Sequence, residues 1–207
     1  MNMYKWLEEI RNGRVKKPLP VLSYPAIQLM GINVKQLSFS AEAQAEGMRL
    51  VAGRTDSLAS VSLMDLSVEA ECFGSQVRMT EDEVPTVVGA IVTTPEEAAA
   101  LAVPSVRSGR AGIYLDAIAE AKKRISDRPV LAGVIGPFSL AGRLVDVTEA
   151  MILCFEDPDM LRTVLEKCTG FLIEYIRNYK AVGADGGVIA EPLAGMLSPD
   201  LAAAFSH

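Results

Sequence analysis

Apolar residues recur at helical spacing at the start of the chain and again after residue 40. Trp6, Leu7 and Ile10 share one helical face, and Gly13 is suited to end that helix. A second helix is predicted over residues 41–53, with Ser40 as its N-cap. The first part of the chain is therefore expected to be helical.

The pattern then changes to extended segments. Residues 57–65 form an apolar stretch that ends on a carboxylate, and residues 75–92 have the character of a β-hairpin with acidic residues at its turn. Residues 130–135 are uniformly apolar, which is typical of a parallel strand covered on both faces. A third parallel strand is predicted over residues 187–190.

Helices are predicted between and after these strands. Thr94, followed by Pro95 and two glutamates, has the sequence of a capping box. Further helices are expected over residues 111–124, over residues 157–182 and from Ser198 onward. Strands separated by long helices imply right-handed parallel crossovers, so the sequence predicts an α/β fold in a single domain. An open three-stranded α/β sheet is one form that satisfies this pattern.

Composition narrows the functional classes. The chain of 207 residues is 50% apolar and carries a net charge of −6, without a basic run. This charge disfavours binding to nucleic acid or to an anionic membrane surface. Neither a signal peptide nor a membrane span is evident. Cys72, Cys154 and Cys168 lack CxxC spacing and fit buried free thiols, so we expect a cytoplasmic protein.

Three blocks of sequence resemble consecutive strands of the uroporphyrinogen decarboxylase family. They are SLMDLSVEAECFGSQVRMTEDEVPTV (62–87), LAGVIGPFSLAGRLVD (131–146) and GADGGVIAEPLAGMLSPDLAAAF (183–205). In the family an aspartate, matching Asp65, ends the first strand, and a glycine, matching Gly74, follows. The second block matches a Gly-x-Pro-aromatic-Ser/Thr-Leu turn, although here the glycine directly precedes the proline. The third block matches a strand that ends in an acid-Pro pair.

Two departures point away from decarboxylation. The stretch that matches the family's arginine-rich motif, residues 20–29, contains no arginine, although a tetrapyrrole with many carboxylates needs several cations to hold it. Arg143 replaces a tyrosine of the decarboxylases. The sequence therefore resembles more closely the cobalamin-dependent methyltransferase branch, whose members take a methyl group from a methyl-corrinoid protein to a thiol such as coenzyme M, or to tetrahydrofolate.

The resemblance also implies cofactors and partners. Thiol-accepting members hold zinc with a His-x-Cys pair and a later cysteine, and the zinc activates the thiol as thiolate. These ligands would lie beyond His207, so no metal ligand is assigned in this chain. Zinc, and a corrinoid (cobalamin) carried by a partner protein, are expected for the full-length protein. A small-molecule methyl acceptor is the second partner.

The fold that the resemblance implies is an incomplete TIM (β/α)8 barrel. A complete barrel needs eight strands and about 250 residues. Residues 1–207 are interpreted as the N-terminal part of one barrel domain, with a helical segment at about 1–55 and barrel elements at about 56–207. We expect the open barrel edge to favour self-association.

Four residues are candidates for the site. Asp65 and Glu191 end predicted strands, at the rim where catalytic groups of TIM barrels collect, and are predicted to be catalytic. A helix cap or a salt bridge is the structural alternative for each. Arg143 and Ser139 are predicted to bind substrate, Arg143 through an anionic group of the substrate or corrinoid. An ion-paired arginine and a helix-capping serine are the alternatives.

Other residues are expected to be structural. Glu69 and Glu71 are predicted to lie on one solvated face of an extended segment, and the cysteines are predicted to be small buried hydrophobes. His207 is the single histidine and is expected at a frayed end, so a Ser-His or Cys-His arrangement is not predicted.

The function predicted from these features is part of a corrinoid-dependent methyltransferase, in which the 207-residue chain alone is inactive. Uroporphyrinogen decarboxylase activity is one alternative. A non-catalytic module that binds a corrinoid protein or assembles with the rest of the barrel is an alternative of another class.

Overall fold

The computed structural model describes residues 2–206, so His207, expected at a frayed end, lies outside the described residues. The helices are α1 (Met3–Asn12), α2 (Ala26–Met30), α3 (Val34–Ser38), α4 (Ala41–Arg54), α5 (Val68–Cys72), α6 (Pro95–Ala100), α7 (Ala111–Arg124), α8 (Pro137–Val145), α9 (Val147–Glu156), α10 (Pro158–Ala181) and α11 (Pro199–Phe205), with a 3₁₀ turn at Ala194–Met196. The strands are β1 (Ser60–Val61), β2 (Gln76–Arg78), β3 (Thr86–Val88), β4 (Val130–Ile135) and β5 (Gly186–Ala190).

Strands β1, β4 and β5 form a three-stranded sheet with β4 at its centre. β1 pairs with β4 in parallel, with Ser60 opposite Val130. The N–H of Asp185 donates to the Val130 carbonyl at the start of β4, and the N–H of Gly136 donates to the Ala190 carbonyl at its end, so β5 runs in the same direction. The α/β class with a parallel sheet is confirmed. Every residue of β4 is buried, which explains its uniformly apolar sequence.

The predicted hairpin is also confirmed. β2 and β3 pair antiparallel, with Val77 opposite Val87. Residues at the two ends of each strand are exposed, and the intervening valine of each strand is half-buried. The hairpin is therefore a separate two-stranded sheet.

Local capping signals place the predicted helices well. The Ser40 hydroxyl accepts from the N–H of Ala43 at the start of α4, and the Thr94 hydroxyl accepts from the N–H of Glu97 at the start of α6. Gly183 has a φ of +101°, the left-handed conformation that glycine adopts without a Cβ clash just after a helix such as α10. None of the helices between residues 2 and 206 combines the length and apolar character that a membrane crossing requires.

Two expectations of local structure were wrong. The predicted strand over residues 57–65 is regular only at Ser60–Val61. Glu69 and Glu71, expected on an extended segment, lie in helix α5, because the backbone turns directly after Asp65. Helices α8 and α9 lie in a stretch where the sequence predicted only a turn.

The chain separates into two compact units, each made of segments distant in sequence. Within the described residues, the first comprises residues 2–64, 113–133 and 178–188, and the second comprises residues 65–112, 134–177 and 189–206. A single barrel domain over residues 1–207, and its incomplete closure, stay predictions.

Each unit has its own apolar packing. In the first, Met3, Trp6, Met64 and Val188 pack against buried Ala59, Val61 and Leu131. In the second, Phe171 contacts Phe73 edge-on with ring centroids 5.3 Å apart, and it also contacts Tyr175 at 5.6 Å. The candidate site described next lies within the second unit.

Candidate functional site

The turn between β4 and α8, residues 135–139, is the centre of the site and is called the β4–α8 turn. Pro137 occupies the first position of α8, where its missing N–H costs nothing. The other four residues of the turn have backbone N–H groups, and each has a partner within the second unit. Gly136 donates to the Ala190 carbonyl at 2.7 Å.

Glu191 holds the first turn of α8. Its Oε2 accepts from the N–H of Phe138 at 2.9 Å, and its Oε1 accepts from the N–H of Ser139 at 2.7 Å. The hydroxyl of Ser139 also donates to Oε1. A carboxylate is favoured at this position because the first amides of a helix lack intrahelical acceptors and carry the positive end of the dipole.

Gly136 makes this approach of Glu191 possible. A Cβ on Gly136 would overlap the Glu191 carboxylate, so any side chain there would displace it. The hydroxyl of Ser139 also accepts from the N–H of Leu193 at 3.0 Å. The structure thus brings the predicted residues Glu191 and Ser139 together, with the Ser139 hydroxyl engaged both as donor and as acceptor.

Glu69 holds the other side of the turn. Its Oε1 accepts from the N–H of Ile135 at 3.1 Å. The side chain is buried, and its second oxygen, Oε2, has no hydrogen-bond partner among residues 2–206. Burial raises the pKa of Glu69 to about 7, and the nearby Asp65 acts in the same direction, whereas the Ile135 amide and Arg110 oppose it. The expectation of a solvated Glu69 was therefore wrong.

Asp65 belongs to a buried charge network formed by Asp65, Ser67, Glu71 and Arg110, called the Arg110 network. Nη1 of Arg110 pairs with Asp65, and its Nε donates to Glu71 at 2.7 Å. Its Nη2 donates to the Ser67 hydroxyl at 2.9 Å, and that hydroxyl donates to Asp65 at 2.6 Å. Arg110 and Asp65 are 2% and 3% exposed, so this is an internal ion pair rather than a surface one.

Arg143, unlike Arg110, has a side-chain nitrogen without a hydrogen-bond partner among residues 2–206. It lies in the last turn of α8, one helical turn after Ser139, and is half-buried. Its Nε is buried and has no hydrogen-bond partner among residues 2–206. In an acidic chain, the part of this half-buried arginine that reaches the surface is suited to an anion from outside.

The cysteines are buried free thiols, as predicted. Burial, with Glu69 and Glu71 nearby, raises the pKa of Cys72 to about 12, and burial also raises the pKa of Cys154 and Cys168. Between residues 2 and 206, no three His, Cys, Asp or Glu side chains are grouped to hold a metal ion. Because zinc takes deprotonated thiolates, these protonated and dispersed thiols do not fit a zinc site.

The sequence did not predict Arg110 or Glu69 as members of the site. Arg110 directly precedes α7, where a positive charge is unfavourable for the helix dipole, and this mismatch was the available signal. Asp65 and Glu69 are like charges close together in the sequence, and two nearby carboxylates disfavour each other's charged form unless a cation compensates.

The sequence of this chain matches a known protein family. The model of the uroporphyrinogen decarboxylase (URO-D) family matches residues 21–207. The chain belongs to the uroporphyrinogen decarboxylase family. The family match covers every residue of the candidate site, from Asp65 to Glu191.

Three relatives of the family show its range. A methylated-thiol–coenzyme M methyltransferase of Methanosarcina mazei is 29% identical over 133 residues, 63% of this chain and 35% of the relative. A methylcobamide:CoM methyltransferase of Methanosarcina barkeri is 28% identical over 65% of this chain and 41% of the relative. A uroporphyrinogen decarboxylase of Salinibacter ruber is 25% identical over 69% of this chain and 42% of the relative.

A solved methyltransferase structure from Methanosarcina mazei shares the fold. It superposes with a TM-score of 0.84 at 24% identity, covering 96% of this chain and 62% of that chain. The matched part is thus about two fifths of the length of these curated relatives and less than two thirds of the solved structure.

Proposed function

We propose that this uroporphyrinogen decarboxylase family member is part of a corrinoid-dependent methyltransferase. It would move a methyl group from a methyl-corrinoid protein to a thiol such as coenzyme M, or to tetrahydrofolate. The names of the Methanosarcina relatives support methyl transfer to coenzyme M, and the absence of arginine from residues 20–29 argues against tetrapyrrole binding.

The half-buried position of Arg143 is the structural observation that supports this proposal. A methyl acceptor such as coenzyme M has a thiol at one end and a sulfonate at the other, and a corrinoid carries a phosphate. Either anion suits the guanidinium of Arg143, through the part of this half-buried side chain that reaches the surface. The amides of the β4–α8 turn are unavailable for this purpose, because Glu191, Glu69 and the Ala190 carbonyl already occupy them.

Asp65 and Glu191 act as positioning groups in this proposal. Asp65 is held by Arg110 and Ser67, and Glu191 is held by Phe138 and Ser139. Glu191 orients the end of β5 and Asp65 orients the turn before α5, and neither presents an unengaged carboxylate. Residues 2–206 contain no grouped set of ligands for the expected zinc.

The test uses the full-length protein with zinc, methylcobalamin and a thiol. Loss of methylcobalamin absorbance in the presence of coenzyme M, or of tetrahydrofolate, is expected. Turnover of uroporphyrinogen without methyl transfer would establish the decarboxylase alternative. Binding of a corrinoid protein without either reaction would favour the non-catalytic module.

Variants of Arg143 test whether this arginine binds the anionic group of the methyl acceptor or that of the corrinoid. Arg143→Met is expected to raise KM about tenfold or more for the anionic substrate with kcat little changed, and Arg143→Lys is expected to act more weakly. If the anion is on the acceptor, KM rises for coenzyme M but not for neutral 2-mercaptoethanol. If it is on the corrinoid, KM rises for methylcobalamin instead. Arg177→Met, at an exposed arginine of α10, is the matched control.

A further inference from the structure

Glu69 is a buried carboxyl group to which the proposed methyl transfer assigns no role. One oxygen binds the N–H of Ile135 at the carboxyl end of β4, and the other has no partner among residues 2–206. Burying an anion with an unsatisfied oxygen is strongly unfavourable, so the group is destabilising in its charged form. A proton on Oε2 removes that charge and leaves Oε1 able to accept from Ile135.

The surroundings of Glu69 disfavour its anion. Asp65, also buried, adds a like charge, and Cys72 lies close enough that its own pKa is raised by Glu69. Arg110 is the compensating cation, but it is already shared between Asp65 and Glu71. Helix α8 packs against α5 and carries one charged residue, Arg143, while β4 carries none.

The turn that Glu69 binds is the turn that carries the site. Ile135 is held by Glu69, and Phe138 and Ser139 are held by Glu191, so two carboxyl groups hold the same five-residue segment from its two ends. Losing the Ile135 bond would release one end of that segment.

We propose that Glu69 is a proton-carrying positioning residue: in its neutral form it stays buried against the Ile135 amide and thereby holds the β4–α8 turn, and its ionisation draws the side chain toward water and loosens that turn. The Ile135 amide favours the anion, but burial disfavours the anion more strongly than this one bond favours it. The inference rests on the candidate site of the proposed function, but not on methyl transfer, because the test needs no substrate. Burial raises the pKa of Glu69 to about 7, so the change falls near neutral pH. Alkaline conditions would then reduce the order around Ser139 and Glu191.

The experiment is an NMR titration of the 207-residue chain, labelled with ¹³C and ¹⁵N, between pH 5 and 9. The Glu69 side-chain carboxyl carbon is expected to titrate with a midpoint near 7, where Asp and Glu carboxyls are ordinarily ionised already. The amide signals of Ile135 and Ser139 should shift with the same midpoint. Titration of Glu69 near the ordinary 4.5, or Ile135 and Ser139 amides that do not follow it, would overturn the proposal.

Two variants separate positioning from a general effect of pH. Glu69→Gln keeps a neutral acceptor for Ile135, so the shared transition should vanish and the amides should keep their low-pH positions. Glu166→Gln, at an exposed glutamate of α10, should leave the transition unchanged. If Glu69→Gln still shows the Ile135 transition, another group causes it and the proposal is wrong. If that variant does not fold, the wild-type titration alone decides. Loss of methyl transfer in the full-length protein with an intact titration would count against the proposed function only.

Discussion

The carboxylate of Glu191 accepts hydrogen bonds from both the backbone N–H and the hydroxyl of Ser139, a residue 52 positions earlier in the chain. This contact joins the end of β5 to the first turn of α8. It explains why glycine stands at position 136, and the catalytic role of Glu191 stays a prediction.

Removing the Glu191 carboxylate should destabilise the fold. Glu191→Ala leaves the amides of Phe138 and Ser139 without their acceptor, and we expect a loss of about 2–4 kcal/mol in the free energy of unfolding. Urea denaturation measures this loss. Glu156→Gln, at an exposed position of α9, should change the free energy by less than about 0.5 kcal/mol. Equal effects of the two variants would contradict the contact.

The pair of Arg110 and Asp65 should behave as a coupled unit. Arg110→Met leaves two carboxylates without their cation, and breaking one side of such a buried pair costs about 3–5 kcal/mol. Adding Asp65→Asn removes one of the stranded charges, so the double variant should be more stable than the sum of the single variants indicates. Additive losses in a double-mutant cycle would show that the two side chains are not coupled.

Glu69 predicts a specific pH dependence of stability. The pKa of Glu69 in the folded protein, about 7, lies above the ordinary 4.5. Its contribution to the free energy of unfolding is therefore full below pH 4.5 and is lost as the pH rises through 7. Glu69→Gln does not titrate. Between pH 5 and pH 8, the free energy of unfolding of the variant should therefore rise relative to that of the wild type by an amount on the order of 3 kcal/mol. A difference that does not change with pH would mean that Glu69 ionises normally.

Glycine substitutions offer a matched pair of tests. Gly136→Ala places a Cβ where the Glu191 carboxylate lies, and we expect destabilisation of about 1–3 kcal/mol. Gly170→Ala lies in α10 with nothing within 4 Å of the added carbon, so it should stabilise the helix by about 0.5–1 kcal/mol. Thermal denaturation should move in opposite directions for the two variants.

The cysteines should resist modification in the folded protein. Cys72, Cys154 and Cys168 are buried and burial raises the pKa of each, so the reactive thiolate is scarce at pH 7.5. We expect a thiol reagent to label none of them within minutes without denaturant and all three in urea. Rapid labelling of Cys154 in the native state would show that α9 opens readily.

Much of the fold was predictable because its signals are local. Strand β4 was predicted with its observed bounds, and the caps Ser40 and Thr94 start their helices as expected. Such signals depend only on neighbouring residues: a hydroxyl that reaches an amide three positions on, or an apolar run buried on both faces. Helix α5 was missed because it has only five residues and follows an extended segment. A pattern this short does not distinguish a helix from a continuation of the strand.

The sequence by itself determined the α/β class, the approximate bounds of the long helices α4, α7 and α10, and the position of Glu191 directly after β5. Only the tertiary structure decided the partners of the site residues. It paired Asp65 with Arg110 across 45 residues, brought Glu69 to Ile135 across 66, and left the Nε of Arg143 unpaired among the described residues. The physical reason is that a charged side chain takes its character from the burial and counter-charges around it, which depend on how distant segments pack.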